Sequence, residues 1–326
     1  MQTIRRGLSA GLTAALLVAL ASAGPAGAQQ RSKVERLGYP AGTKLLIVHA
    51  DDLGLSHSEN AASIAAFGGG AVSSGSVIVP APWAKEIIAW ARQHPDADIG
   101  IHLDLTAEWQ TLRWPGIAGR AEAPSLYDAE GFLPASTEQV ARQASAADVE
   151  KELRAQVARA RELGLVPTHL DWHMAGVMVK PEFFQAFLRV AHETHVVPAI
   201  PMELLRMNAP VLGVAPGLWQ YVKPDEVLVD HFVMAMPGMK PEQWPAYYEG
   251  IIRGLEPGSI TQIIVHLGYD DAEQRAVTAG HDDYGAAWRQ RDLDFFLSPA
   301  AKKLMSENNV RLTTWRELAR LLPPTS

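Results

Sequence analysis

Runs of branched apolar residues alternate with helical patterns from about residue 44 to the end of the chain, and this alternation limits the possible folds most strongly. Leu45 to Val48 is a continuous apolar run, which is typical of a strand buried on both faces. Strands are predicted over 45–48, 72–79, 99–103, 169–172, 227–233, 260–265 and 310–313, and helices over 59–67, 84–93, 149–163, 181–195, 242–253 and 315–322. Alternation without an internal linker indicates an α/β fold with a parallel sheet and right-handed crossovers. We therefore predict a single-domain (β/α) barrel, closed or partly closed, with irregular segments over 107–144 and 201–224.

Residues 1–28 have the parts of a secretory signal peptide. Arg5 and Arg6 form a charged start, 12–21 is mostly apolar, and a small-x-small triplet ends at Ala28. The apolar run is too short for a membrane span. An amphipathic first helix fits less well because the run has no polar face. We expect cleavage after Ala28 and a periplasmic or secreted mature protein, exported by either the general or the twin-arginine route.

Composition excludes several classes of site. The chain has 326 residues, no cysteine, and 29 basic against 36 acidic residues, so disulfides, thiolate zinc sites and a cysteine nucleophile are ruled out. No cluster of lysine and arginine breaks the acidic balance, and we expect no nucleic-acid partner. The mature chain should comprise an N-terminal extension over 29–43 and the barrel domain over 44–326. A homodimer is compatible with this sequence.

Four predicted strands end in residues that can bind a metal or transfer a proton. These ends lie at 49–52, 102–104, 169–173 and 266–268. Because (β/α) barrels carry their chemistry at the carboxyl ends of the strands, we expect these side chains to meet. Taken singly, an Asp pair could form a turn and a strand-end His could be only a structural group. Together they favour a catalytic metal site, since one carboxylate and two imidazoles leave coordination positions for water.

Three segments carry a pattern that is known from one family. The chain has HADDLGLS at 49–56, IGIHLDLT at 99–106 and PTHLDWH at 167–173. These resemble the NADDFGLS, GlHLxLT and PTHLDSH segments of the YdjC/ChbG family of carbohydrate deacetylases. A weaker match, IVHLG at 264–268, stands where the family has a late HPG. Order and spacing hold over 44–270, so the resemblance covers most of the mature chain.

The resemblance implies a distorted TIM-like (β/α) barrel and assigns roles to five side chains. Asp52, His102 and His173 would bind one divalent metal ion. Asp51 would be the general base, and His266 the general acid. Zinc or magnesium is the favoured ion, with manganese, nickel and cobalt as alternatives.

Three further side chains are expected to support the site or contact the substrate. Asp171 would orient a neighbouring group or the substrate, His169 would give structural support, and Trp172 would line the pocket. By analogy with the fold, Arg291 would orient Asp51.

Departures from the family pattern leave the substrate open. Trp172 stands where the family has a serine, His49 replaces its asparagine, and Leu267 replaces its proline. The favoured function is removal of N-acetyl groups from an amino sugar or oligosaccharide. The alternatives are a metal-dependent hydrolase of another amide or ester, and a non-catalytic barrel that binds glycans.

Several polar and aromatic residues of the irregular segments remain ambiguous from sequence. His281, Asp282 and Asp283 could bind substrate or metal, but a solvated acidic loop is the favoured interpretation. Four tryptophans could stack on sugar rings or, as is favoured, fill the cores of long loops: Trp109, Trp114, Trp219 and Trp288.

Overall fold

The computed structural model describes residues 31–206 and 213–322, and the compact unit begins at Ser32. The predicted signal peptide and its cleavage site lie outside these residues. None of the helices in the described ranges is both long enough and apolar enough to cross a membrane.

Twelve α-helices and ten strands lie in the described part of the chain. The strands are β1 (Lys44–Leu53), β2 (Ser74–Val77), β3 (Ile99–Leu103), β4 (His169–Trp172), β5 (Val197–Pro198), β6 (Ile200–Pro201), β7 (Leu228–Val229), β8 (His231–Met234), β9 (Ile260–His266) and β10 (Val310–Leu312). The helices are α1 (Lys33–Arg36), α2 (His57–Gly68), α3 (Ala84–Gln93), α4 (Thr137–Gln143), α5 (Ala146–Glu162), α6 (Pro181–Thr194), α7 (Met202–Arg206), α8 (Trp244–Gly254), α9 (Ala272–Val277), α10 (Ala286–Leu297), α11 (Pro299–Glu307) and α12 (Trp315–Leu318).

The strands form a curled parallel sheet in the order β5-β4-β3-β2-β1-β9-β8, with β10 beside the first residues of β1. Strands β5 and β6 are separated by one residue, as are β7 and β8. Because β6 pairs with β7, this short ladder connects the two ends of the sheet. The prediction of a distorted, TIM-like (β/α) barrel with parallel strands is therefore confirmed.

Strand β1 pairs with β2, β9 and β10 and is buried along almost its whole length. Its interior-facing side chains include Leu45 and Ile47, which pack in a cluster with Val34 and Trp315 beneath the barrel. Its outward-facing side chains pack against the surrounding helices. A strand covered on both faces needs a continuous apolar run, and this explains the sequence of its first half.

The structure differs from the sequence prediction in several connections. The segment 107–144 contains helix α4, whose N-cap is Ser136. The strand predicted over 227–233 is broken at Asp230, because its carboxylate accepts a hydrogen bond from Ile260 N at 2.9 Å. Residues 272–307 contain α9, α10 and α11, which the sequence analysis did not assign.

Candidate active site

The two adjacent carboxylates at the end of β1 reach the same space because the strand is irregular there. Adjacent strand residues normally point to opposite faces. The pairing with β2 shifts between Ala50 and Leu53, and Asp52 has a left-handed backbone with φ of 65°. Asp accepts this conformation more readily than most residues. The bulge therefore brings both Asp51 and Asp52 to the mouth of the barrel.

Asp52, His102 and His173 converge as the sequence predicted. Oδ1 of Asp52 lies 3.1 Å from Nδ1 of His173 and 3.5 Å from Nε2 of His102. One ligand atom from each residue lies within 4.8 Å of the others. Oδ1 of Asp52 is buried and has no hydrogen-bond donor among the described residues. A buried carboxylate oxygen facing two imidazole nitrogens suits a divalent cation.

A carboxylate contacts the ring nitrogen of each imidazole that does not face Asp52. Nδ1 of His102 lies 2.9 Å from Oδ1 of Asp171, which leaves Nε2 facing Asp52. Nε2 of His173 lies 3.0 Å from Oε1 of Glu108, which leaves Nδ1 facing Asp52. A carboxylate behind a metal-binding histidine fixes the ring and its tautomer. An orienting role for Asp171 stays a prediction, and this contact supports it; sequence analysis missed Glu108, which lies in an irregular segment without a motif.

Asp51 lies beside this group and is nine-tenths buried. Its Oδ2 is 3.7 Å from Nε2 of His102, and its Oδ1 is 3.3 Å from Nε2 of His49. Oδ1 accepts no hydrogen bond from the described residues. Burial raises the pKa of Asp51 to about 7, against the opposing effect of the two histidines. An unpaired carboxylate with a pKa near neutrality is suited to accept a proton.

An arginine holds the outer oxygen of Asp52. Arg289 is fully buried, and its Nη2 donates to Oδ2 of Asp52 at 2.7 Å. Its Nη1 lies 3.0 Å from Oε1 of Glu59, another fully buried side chain. Although burial raises the pKa of Asp52, His173 and Arg289 hold it well below its usual value.

The prediction that Arg291 orients Asp51 is wrong. Arg291 packs over the indole of Trp244, 5.4 Å from its centroid, and Arg289 two residues earlier reaches Asp52 instead. Because no strand is predicted directly before this segment, neither arginine could be placed from the pattern.

His266 approaches from the other side of Asp52. Its Nε2 lies 3.8 Å from Oδ2 of Asp52, whereas His102 and His173 face Oδ1. Its backbone N–H donates to Oδ2 of Asp292 at 3.0 Å. Burial lowers the pKa of His266 to about 3; Asp52 opposes this effect and Arg289 adds to it. A pKa this low favours the neutral imidazole at neutral pH.

A buried polar layer supports the site from below. Oδ2 of Asp171 lies 2.9 Å from Nε2 of His49 and accepts a hydrogen bond from Ser76 Oγ at 2.8 Å. His169 stacks on Trp315 with ring centroids 5.6 Å apart. A Cβ on Gly100 would lie 2.5 Å from the His169 ring, so this glycine allows the close approach. His169 thus packs as a structural group beneath Asp171.

The site opens into a cavity of about 570 Å³. Trp172 lines it and packs against Phe232, with ring centroids 5.7 Å apart. Trp109, His281 and Asp283 also line this cavity.

The remaining tryptophans singled out from sequence are not in its lining. Trp114 and Trp288 are buried in the core, and Trp219 lies under the guanidinium of Arg206 at 4.2 Å. Asp282 is exposed and outside the lining.

The sequence of this chain matches one family over most of its length. The model of the family described as YdjC-like protein matches residues 45–307. A carbohydrate deacetylase of Thermus thermophilus is 31% identical over 294 residues, which is 89% of this chain and 98% of the relative. A carbohydrate deacetylase of Geobacillus stearothermophilus is 28% identical and covers 84% of this chain and 98% of its own length. A chitooligosaccharide deacetylase of Serratia marcescens is 37% identical over 40% of this chain and 49% of its own length.

Among solved structures, a protein of Enterococcus faecalis V583 described as a cellobiose-phosphate cleavage protein has the same fold. The TM-score is 0.69 at 21% sequence identity, and the match covers 85% of this chain and 99% of the other. The motifs, the fold and the extent of these matches lead to one conclusion. The chain belongs to the YdjC-like protein family.

Proposed function

We propose that this protein is an exported, metal-dependent hydrolase that removes N-acetyl groups from an amino sugar or oligosaccharide. The observation that carries the proposal is the convergence of Asp52, His102 and His173 beside the unpaired carboxylate of Asp51. Full-length relatives named carbohydrate deacetylase support the same class of reaction.

The donor set consists of one carboxylate and two imidazoles that are already oriented by Asp171 and Glu108. The two imidazoles favour zinc and the other first-row transition ions, and magnesium, the second favoured ion, would bind mainly through the carboxylate and water. When bound, the ion would polarise the acetyl carbonyl and make water more acidic.

Asp51 is the proposed base. It accepts the proton of the attacking water at its Oδ1, which has no other donor among the described residues. His49 lies 3.3 Å from this Oδ1, and His102 lies 3.7 Å from Oδ2 of the same carboxylate. A well-placed base typically accelerates such a step by roughly 100- to 10,000-fold.

His266 is the proposed acid for the departing amine. It lies on the Oδ2 side of Asp52, away from the two histidines of the proposed metal set. Because burial favours the neutral imidazole, His266 must take up a proton from solvent before it donates one to the amine, and Asp51 must return the proton of the water to solvent. Two groups with separate roles allow water activation and protonation of the leaving group to occur in turn.

Acetate release tests the proposal. Purified residues 29–326 would be assayed on a panel of N-acetylated oligosaccharides, with added divalent ions and with chelator. We expect release that requires a metal and that is lost in Asp51→Asn. The matched control is Asp96→Asn, because Asp96 is exposed on the loop before β3 at the opposite end of the strands. If no substrate releases acetate although one ion is bound per chain, the deacetylase proposal is contradicted.

A second candidate is hydrolysis of another amide or of an ester. Trp172 favours it because a large indole occupies the space beside Asp51 and His102 where the family has a small serine. Metal-dependent hydrolysis of aryl acetates without release from any glycan would support this alternative.

The export part of the proposal depends on the signal peptide predicted over residues 1–28. Fractionation of cells that express the full chain tests it directly. We expect the periplasmic or secreted form to begin at residue 29 when its N-terminus is sequenced.

A further inference from the structure

The cavity above the proposed metal set is lined by acids, four histidines and apolar side chains, and a bound divalent ion would add two positive charges. Five of its lining residues are carboxylic acids: Asp51, Asp52, Glu108, Glu138 and Asp283. Arg289 is the one arginine or lysine among the described lining residues. Residues 207–212, outside the described ranges, contain no lysine or arginine either.

Arg289 is not available to a substrate. It is fully buried, and each of its nitrogens faces a group of the protein. Nη2 donates to Asp52, Nε donates to the carbonyl oxygen of Tyr284 at 2.8 Å, and Nη1 faces Glu59. An anionic group that lies away from the bound ion would therefore meet no free lysine or arginine among the described lining residues.

All but one of the unpaired polar atoms of the described lining residues are acceptors, and the exception, Nη1 of Arg289, faces Glu59. Oδ1 of Asp51 and Oε2 of Glu108 are buried, and neither has a hydrogen-bond partner among the described residues. Buried acceptors without donors are costly, so a well-fitting ligand brings donors to them. Sugar hydroxyls, amide N–H groups and ammonium groups can donate, whereas a phosphate dianion only accepts.

The residues at the rim and on the walls of the cavity also suit a ligand that donates hydrogen bonds. Glu138 is exposed at the start of α4, and Asp283 is half-buried and accepts from the backbone N–H of Gly238 at 3.0 Å. The apolar walls offer flat or flexible surfaces on which sugar rings can pack: Trp109, Trp172, Met174, Phe232, Met236 and Tyr284.

We infer that this cavity selects uncharged or amine-bearing glycans and rejects those that carry a phosphate or another anionic group. The inference rests on the proposed function and narrows its substrate class.

Three substrates of equal length test the inference: an N-acetylglucosamine disaccharide, its 6-phosphate, and the disaccharide in which one unit has a free amine. The metal-loaded wild type should release acetate from the first and third, and kcat/KM should be at least about tenfold lower for the phosphate ester. The double variant Glu138→Gln, Asp283→Asn should bring kcat/KM for the 6-phosphate closer to kcat/KM for the neutral disaccharide. The control Asp96→Asn should leave the ratio of these two values unchanged. Raising the salt concentration should narrow it as well, because salt screens exposed charges.

Binding gives a second readout that does not depend on turnover. Calorimetry on Asp51→Asn, which keeps four of the five acids, should show weaker binding of the phosphate ester than of the neutral disaccharide. Equal or better turnover and binding of the phosphate ester would overturn the inference and leave the deacetylase proposal intact. Absence of acetate release from all three substrates would instead count against the proposed function.

Discussion

Along the interior face of β1, the side chains at four alternate positions change from apolar to polar and ionisable. Leu45 and Ile47, at the amino end, belong to the apolar cluster beneath the barrel. His49 and Asp51, at the carboxyl end, lie among imidazoles and carboxylates. The same strand therefore contributes to the core at one end and to chemistry at the other.

The two ends differ in what stabilises them. The amino end is held by burial of apolar side chains, which is the main favourable term in folding. The carboxyl end buries the carboxylates Asp51, Asp52 and Glu59, of which Asp52 also has a left-handed backbone. Buried charges and backbone strain cost stability and tend to be kept where function requires them. Substitutions at the two ends should accordingly separate stability from activity.

The largest effect is expected for Asp51→Asn. Loss of the base should lower kcat by roughly 100- to 10,000-fold, while the amide keeps the shape of the side chain. Metal content and the free energy of unfolding should change little. Acetate assays, metal analysis and urea denaturation check this. A large loss of bound metal would show that Asp51 is a ligand rather than a base.

Next in size is Arg289→Met. The change leaves the buried carboxylates of Asp52 and Glu59 without their shared cation, and breaking a buried ion pair typically costs about 3–5 kcal/mol. The free energy of unfolding in urea measures the loss. Arg291→Met on the same helix is the matched control and should cost much less, because Arg291 is half-buried over Trp244. Equal losses in both variants would contradict the role of Arg289.

Ile47→Ala tests the amino end of the strand. Truncation of a fully buried isoleucine should cost about 2–5 kcal/mol in the free energy of unfolding. The protein that remains folded should keep the metal content and the kcat of the wild type. A loss of kcat comparable to that of Asp51→Asn would show that the two ends are not separable.

The smallest effect is expected for Asp171→Asn. The amide can still contact Nδ1 of His102 but no longer supplies a negative charge behind the ring. Loss of such an orienting partner typically weakens metal affinity about 10- to 100-fold. Titration with a competing chelator measures this change. Unchanged affinity would mean that His102 does not depend on Asp171 for its orientation.

Sequence periodicity and motifs predicted the parallel barrel and the group formed by Asp52, His102 and His173. These two predictions succeed because buried strands have continuous apolar runs and because the motif residues lie at the carboxyl ends of strands. Arg289 and Glu108 were missed, since they reach the site from an unassigned helix and an irregular segment. Their roles depend on tertiary packing, which local patterns do not encode. The chemical roles of the motif residues remain predictions.

The most direct test of the central claim is the metal content of purified residues 29–326 after loading and dialysis, compared with that of His102→Ala. The proposed site predicts one divalent ion per chain in the wild type, and in Asp51→Asn and Ile47→Ala as well. It predicts almost none in His102→Ala, provided that circular dichroism shows this variant to be folded. A wild type that retains no ion, or a folded His102→Ala that retains a full equivalent, would contradict the assignment of the metal site.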